Sequence, residues 1–315
     1  MFLNITLIFI GFAGLIWGGD RFVVGASSLA RAFGISPLLI GLTVVAFGTS
    51  APEIFSSAVA ALNQQPELAI GNTLGSNLFN IGVVLGLTTL FVPLKTPSIL
   101  IKQELPFLLF ITTLTGALFV DLYFGPFDAM CLCLIILLAS FKIFRQKKDT
   151  NIIGATPNFN LRNVFFAFGY ILLGVTLLVV GAKILVSSAT SIAEYFGVSD
   201  VIVGLTIIAW GTSLPELATS ISCILKRKYD IALGNVVGSN LLNILAVLPF
   251  PGILSPSMIE STVFYRDYMS MFFVTLLLTG FCYYGVYANK KVGRLAGATF
   301  LLTYLGWFVL VLHEL

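Results

Sequence analysis

GLTVVAFGTSAPE (residues 41–53) reappears as GLTIIAWGTSLPE (204–216), with nine of thirteen positions identical and no gap. A second pair follows each copy: GNTLGSNLFN (71–80) and GNVVGSNLLN (234–243) share seven of ten positions. The offset is 163 residues throughout, and it already holds upstream at Phe33-Gly34 and Phe196-Gly197. Duplication kept for packing alone would account for the likeness, but not for polar residues being its best-matched part. The repeat therefore carries chemistry.

Composition says in which solvent. The 315 residues are 58% hydrophobic and 10% charged, with a mean hydropathy of +1.01, where soluble domains carry about 25% charged residues. A water-exposed surface cannot be covered, so a soluble domain pair, a disordered chain, a nucleic-acid binder and a disulfide scaffold are all excluded. The net charge of +3 is too small for a nucleic-acid partner. Cys131, Cys133, Cys223 and Cys282 all lie in apolar stretches and read as small buried residues. His313 is the single histidine, which leaves a zinc site or a Ser/His/Asp hydrolase nothing to work with. No enzyme and no cofactor is expected. The N-terminal stretch has no basic leading region, so it reads as a retained first helix rather than a cleaved signal.

About 20 apolar residues cross a bilayer as a helix. Cutting at polar and turn-forming clusters gives an all-α polytopic membrane protein of ten spans, near 3–24, 36–62, 68–92, 104–121, 125–144, 163–186, 198–224, 230–250, 267–287 and 295–313. The first and sixth can run on by a turn or two. Fourteen of the 17 Lys and Arg residues fall in loops on one side and only Arg266 on the other. Basic loops face the cytoplasm. That puts both termini outside and the linker 145–162 inside, in a plasma membrane of the prokaryotic inner-membrane type. Equivalent points of the repeat are five spans apart, an odd number, so the halves 1–144 and 163–315 enter from opposite sides. Such inverted five-helix repeats are built around a midplane site in secondary transporters. Asp20 and Lys183 are also 163 apart, but inversion separates them, and Asp20 is expected to snorkel or to lie beside Arg21.

The motif residues fit a cation. Pro52 lacks an N–H and deprives Gly48 of its helical partner, and Pro215 does the same to Gly211. Glu53 and Glu216 lie about halfway along their spans, where an unneutralised carboxylate is costly and marks function. Thr49, Ser50, Thr212 and Ser213 add hydroxyl oxygens beside each break. Ser76 and Asn80 share a helical face, as do Ser239 and Asn243, with Asn77 and Asn240 between them. These amides read equally as ligands or as interhelical glue. Carboxylates, hydroxyls and freed carbonyls together make an all-oxygen cage, suited to Ca2+ or Na+. The motif glycines read as close helix contacts, and no Walker lysine accompanies them.

GTSAPE…GNTLGSN and GTSLPE…GNVVGSN resemble the paired alpha-repeats of the sodium/calcium exchanger family, within the calcium/cation antiporter superfamily. The resemblance implies an electrogenic antiporter that moves Ca2+ against Na+. It places calcium carboxylates on Glu53 and Glu216, and hydroxyl or carbonyl ligands on Thr49, Ser50, Thr212 and Ser213. Backbone ligands fall on Ala46 and Ala209, sodium ligands on Ser76 and Ser239, and the central polar pair on Asn80 and Asn243. Members that also move potassium carry Asp where this chain has Asn243, so no potassium requirement is expected. The alternative reading is a Ca2+/H+ or other divalent cation/H+ antiporter, and the rival class is a cation channel. The expected partners are the two ions as substrates and the lipid bilayer, with no required protein partner. The linker, whose only acid is Asp149, has too few oxygen ligands for a calcium sensor.

Overall fold

A computed structural model describes residues 2–149, 160–196 and 209–313, with the backbone alone for 141–149, 194 and 209. It is mostly helical: α1 Phe2–Phe33, α2 Pro37–Thr49, α3 Ala51–Leu62, α4 Pro66–Phe91, α5 Leu105–Phe119, α6 Pro126–Asp149, α7 Leu161–Tyr195, α8 Ala209–Thr212, α9 Leu214–Leu225, α10 Tyr229–Leu254, α11 Val263–Tyr287 and α12 Arg294–His313. Among the described residues, six helices are long and apolar enough to cross a membrane, and the bent pair α2–α3 would make a seventh. The distribution of side chains is that of a membrane protein. Phe9, Phe55, Phe91, Phe165, Leu172 and Leu225 are exposed, while Glu53, Glu216, Asn80 and Asn243 are fully buried. Water would penalise the first set, which hydrocarbon accepts. Residues 150–159 of the linker and 204–208 of the second motif lie outside the described residues.

The chain forms two compact units, Met1–Pro52 with Ile152–Asn235 and Glu53–Asn151 with Val236–Leu315. Each takes segments from both halves of the sequence. In the first unit, α1 and α7 run side by side along a glycine seam. A Cβ on Gly11 would lie 2.9 Å from the Gly181 carbonyl, one on Gly18 3.0 Å from the Gly174 carbonyl, and one on Gly25 2.8 Å from the Ala167 carbonyl. Contacts move down α7 as they move up α1, so the two helices are antiparallel. Small residues let helix backbones approach this closely in lipid, where packing replaces the hydrophobic effect between helices.

That seam gives a paired prediction on one helix. A Cβ on Gly174 would fall 2.6 Å from the Phe22 backbone nitrogen, whereas one on Gly169 meets nothing within 4 Å. Gly174→Ala should destabilise the purified protein by about 1–3 kcal/mol through overpacking. Gly169→Ala should be neutral or mildly stabilising. Thermal unfolding in detergent separates the two, and equal midpoints for both variants would contradict this packing.

α9 crosses α1 at Gly19, where an added Cβ would lie 3.0 Å from the Ala218 carbonyl. Just past its end, Lys226 Nζ reaches Asp20 Oδ1 at 2.6 Å. The sequence-based expectation for Asp20 is corrected here. It neither snorkels alone nor pairs with Arg21, because the crossing carries a lysine from a distant loop to it. Arg21 instead lies over the rings of Trp17 and Tyr170, at 5.6 and 5.7 Å.

In the second unit α4 packs on α12, Gly82 against the Tyr304 side chain and Gly297 against the Gly86 carbonyl. Two short strands, β1 Tyr123–Phe124 and β2 Ser257–Met258, pair antiparallel. Phe119 stacks edge-on against Phe124 and Tyr268, and the Tyr268 hydroxyl donates to the Thr112 carbonyl at 3.0 Å.

The duplication is visible in local backbone geometry. Wide turns, in which an N–H bonds five residues back rather than four, begin at Asn80 and at Asn243, and again at Leu100 and at Val263. Gln64 and Arg227, just past the ends of α3 and α9, both take left-handed φ, 60° and 58°. Each of these pairs is separated by 163 positions.

Candidate functional site

Proline chemistry sets the local geometry of both motifs. α2 and α3 meet at Ser50 with a bend of 46°, because Pro52 cannot donate to Gly48 and its ring crowds that turn. Ser50 has φ −81° and ψ 5°, and Ser213, its counterpart between α8 and α9, has φ −93° and ψ 5°. The same break is thus built twice. Each break is followed, directly after its proline, by a glutamate in the first turn of the next helix, Glu53 on α3 and Glu216 on α9. There the unsatisfied N–H groups and the helix dipole favour negative charge.

Within the first unit the site residues form a connected cluster. The Ser50 hydroxyl donates to Glu216 Oε1 at 3.0 Å. Thr49 Oγ1 lies 3.2 Å from the Val45 carbonyl, 3.3 Å from that of Ala46 and 3.1 Å from Asn235 Oδ1. The Asn235 amide in turn donates to Ser220 Oγ at 3.3 Å. The Ala46 carbonyl also accepts the Ser50 N–H at 2.9 Å. Ser213 is fully buried and Thr212 half-buried; Ala209 opens α8.

The second unit holds the other carboxylate and the amides. Asn72 donates to Ser57 Oγ at 2.9 Å and to the Glu53 carbonyl at 3.4 Å, so the serine one turn after Glu53 and the asparagine of the GN pair are tied together. Ser76 and Ser239 are buried. The Asn243 amide donates to Asn77 Oδ1 at 3.1 Å, and Asn77 donates to the Asn240 carbonyl at 3.4 Å. Asn80 and Asn240 are different. Both amide atoms of each are buried without a hydrogen-bond partner among the described residues, as is Asn243 Oδ1. A buried amide normally finds partners, so these oxygens are available to something other than protein.

Four residues escaped the sequence reading: Ser57 and Ser220, Asn72 and Asn235. Each pair is related by the repeat offset, and Asn72–Ser57 and Asn235–Ser220 are the same hydrogen bond made twice. The signal was present, since both serines stand four residues after a glutamate and so on its helical face, but they lie beyond the ungapped motif. Asn235→Ala removes an acceptor of Thr49 and the donor to Ser220. It should lower stability by about 1–3 kcal/mol, the usual cost of a buried polar group losing its partner. Chemical or thermal unfolding in detergent measures this, and an unchanged midpoint would dismiss the bridging role.

Comparisons with known proteins show the family. The sodium/calcium exchanger protein family model matches residues 3–145 and 166–313. The inner membrane protein YrbG of Escherichia coli is 37% identical over 90% of each chain. The sodium/calcium exchanger MaX1 of Methanosarcina acetivorans is 29% identical over 98% of this chain and 99% of its own. Among solved structures, the sodium-calcium exchanger NCX_Mj soaked with 10 mM Na+ and zero Ca2+ superposes with a TM-score of 0.86 at 31% identity, covering 98% of both chains.

Proposed function

The chain belongs to the sodium/calcium exchanger protein family, whose members are integral membrane cation antiporters, and from that premise we propose that it exchanges Na+ for Ca2+ by alternating access. The observation that carries the proposal is the twice-built helix break with a fully buried glutamate in the next turn. A buried carboxylate beside hydroxyls and amide oxygens is what a desolvated hard cation requires. Ten spans in two inverted five-helix repeats are part of this reading. The antiparallel course of α1 and α7, the leading helices of the two copies, supports it, as do the wide turns recurring at equal offset.

In this reading Glu53 and Glu216 neutralise Ca2+. Thr49, Ser50, Thr212, Ser213, Ser76 and Ser239 supply neutral oxygens, with the carbonyls of Ala46 and Ala209. For the amides, hydrogen bonding supports a division between the two roles left open by the sequence. Asn77 acts as interhelical glue, while the oxygens of Asn80, Asn240 and Asn243, buried and without protein partners among the described residues, suit an ion. Both termini lie outside and the linker 145–162 inside, on the strength of the basic loops.

The test uses purified protein in Na+-loaded liposomes diluted into Na+-free medium with labelled Ca2+. Uptake should follow the imposed Na+ gradient and ignore an imposed pH gradient. Uptake that instead follows the pH gradient would make H+ the coupling ion, since a midplane carboxylate can trade a proton for a metal ion. Flux that ignores both gradients and does not saturate would indicate a channel.

A further inference from the structure

Away from the carboxylates, the first unit holds a cavity of about 320 Å3 between the end of α1 and the start of α7. Its lining includes Ser28 and Arg31 from α1 and Asn163, Phe166, Ala167 and Tyr170 from α7. No acidic side chain lines it. Arg31 donates to Ser28 Oγ at 3.2 Å and is otherwise exposed. Two further guanidinium groups brace the aromatic walls: Arg162 lies 5.7 Å over the Phe166 ring, and Arg21 lies 5.7 Å over that of Tyr170. Among the described residues the ion pairs are Lys226–Asp20 and Arg266–Asp267, so none of these three arginines spends its charge on a carboxylate. Arg21 Nε is moreover buried without a hydrogen-bond partner.

From this we infer that the cavity is a binding site for the phosphate headgroup of an anionic phospholipid. Depth supports a lipid. α1 has 32 residues, about 48 Å at 1.5 Å per residue, against a hydrocarbon core of about 30 Å, so its end reaches headgroup level. The outer faces beside the cavity are apolar, with Phe33, Phe165, Phe168 and Leu172 all exposed, a surface on which acyl chains can lie. Basic pockets between membrane helices take anionic headgroups in this way. Arg31 forms the charge-assisted contact to phosphate, Asn163 and the Tyr170 hydroxyl offer neutral donors, and the two ring-stacked arginines add positive field. The site stands apart from the exchange reaction and does not depend on it.

Native mass spectrometry of the full-length protein tests this. The detergent-purified chain is titrated with phosphatidylglycerol, and separately with phosphatidylcholine. Wild type should retain phosphatidylglycerol preferentially. Arg31→Gln should lose about fivefold of that retention, the effect of one basic group at a membrane surface. Tyr170→Phe should lose less and leave phosphatidylcholine binding unchanged. Size-exclusion profiles matching wild type establish that both variants are folded. Equal retention of both lipids by wild type, or full phosphatidylglycerol retention by Arg31→Gln, would overturn the inference. Displacement of the lipid by millimolar inorganic phosphate would overturn it too, by making the cavity a site for the free anion.

Discussion

Glu53→Gln and Glu216→Gln should each abolish Na+-driven Ca2+ uptake while the protein still inserts and purifies as a folded species. The amide keeps the shape of the side chain and one acceptor oxygen, so the hydrogen bond from Ser50 to Glu216 Oε1 has a surviving counterpart in the variant. On the proposed assignment, what disappears is one of the two negative charges that neutralise a divalent ion stripped of its water. Removing one partner of a buried charge pair costs about 3–5 kcal/mol, which corresponds to a loss of roughly two to four orders of magnitude in exchange at limiting Ca2+. Labelled-Ca2+ uptake, normalised to reconstituted protein, reads the effect. Robust exchange by either variant would refute the assignment of the carboxylates.

Membrane potential should act almost as strongly. Two carboxylates balance one Ca2+ or two Na+. On the proposed assignment, the neutral oxygens of Thr49, Ser50, Ser76, Asn80 and their counterparts would give room for a further Na+, and the sodium-loaded carrier would then cross with surplus positive charge. In Na+-loaded liposomes taking up Ca2+, net positive charge then leaves the lumen with sodium. A lumen-positive potential favours that exit. Ca2+ accumulation should therefore rise when K+ and valinomycin make the lumen positive, and fall when it is negative. One net charge across 100 mV is worth about 2.3 kcal/mol, or roughly fiftyfold in the accumulation ratio. A rate and plateau indifferent to potential would mean two monovalent ions per Ca2+ and no surplus charge.

Legibility in the sequence follows from which features have a breaker residue. The kinks at Ser50 and Ser213 were readable because Pro52 and Pro215 cannot complete a helical turn, and both buried glutamates were readable because a carboxylate in an apolar run has few explanations. Helix ends were less so. Bilayer thickness limits a span to about 20 residues, and only the continuing apolar runs after Phe22 and Leu185 show that α1 goes on to Phe33 and α7 to Tyr195, without fixing where each stops. The wide turns at Asn80 and Asn243 lie in NIGVVL and NILAV, runs with no proline and nothing in composition to mark them. Asp20 was misread because its partner, Lys226, comes from a loop more than two hundred residues away, and no periodicity links the two.

The matched wide turns also bear on the ancestry of the chain. A wide turn accommodates one residue more than an ordinary helical turn, so it is the trace of a single-residue insertion into a regular helix. Two such traces stand at corresponding places in both halves, at Asn80 with Asn243 and at Leu100 with Val263. Independent insertion at the same two places in each half would take four separate events. Inheritance takes two. The insertions are therefore older than the duplication: the stretch that was copied already carried both irregularities, and the two copies have diverged since without either losing them.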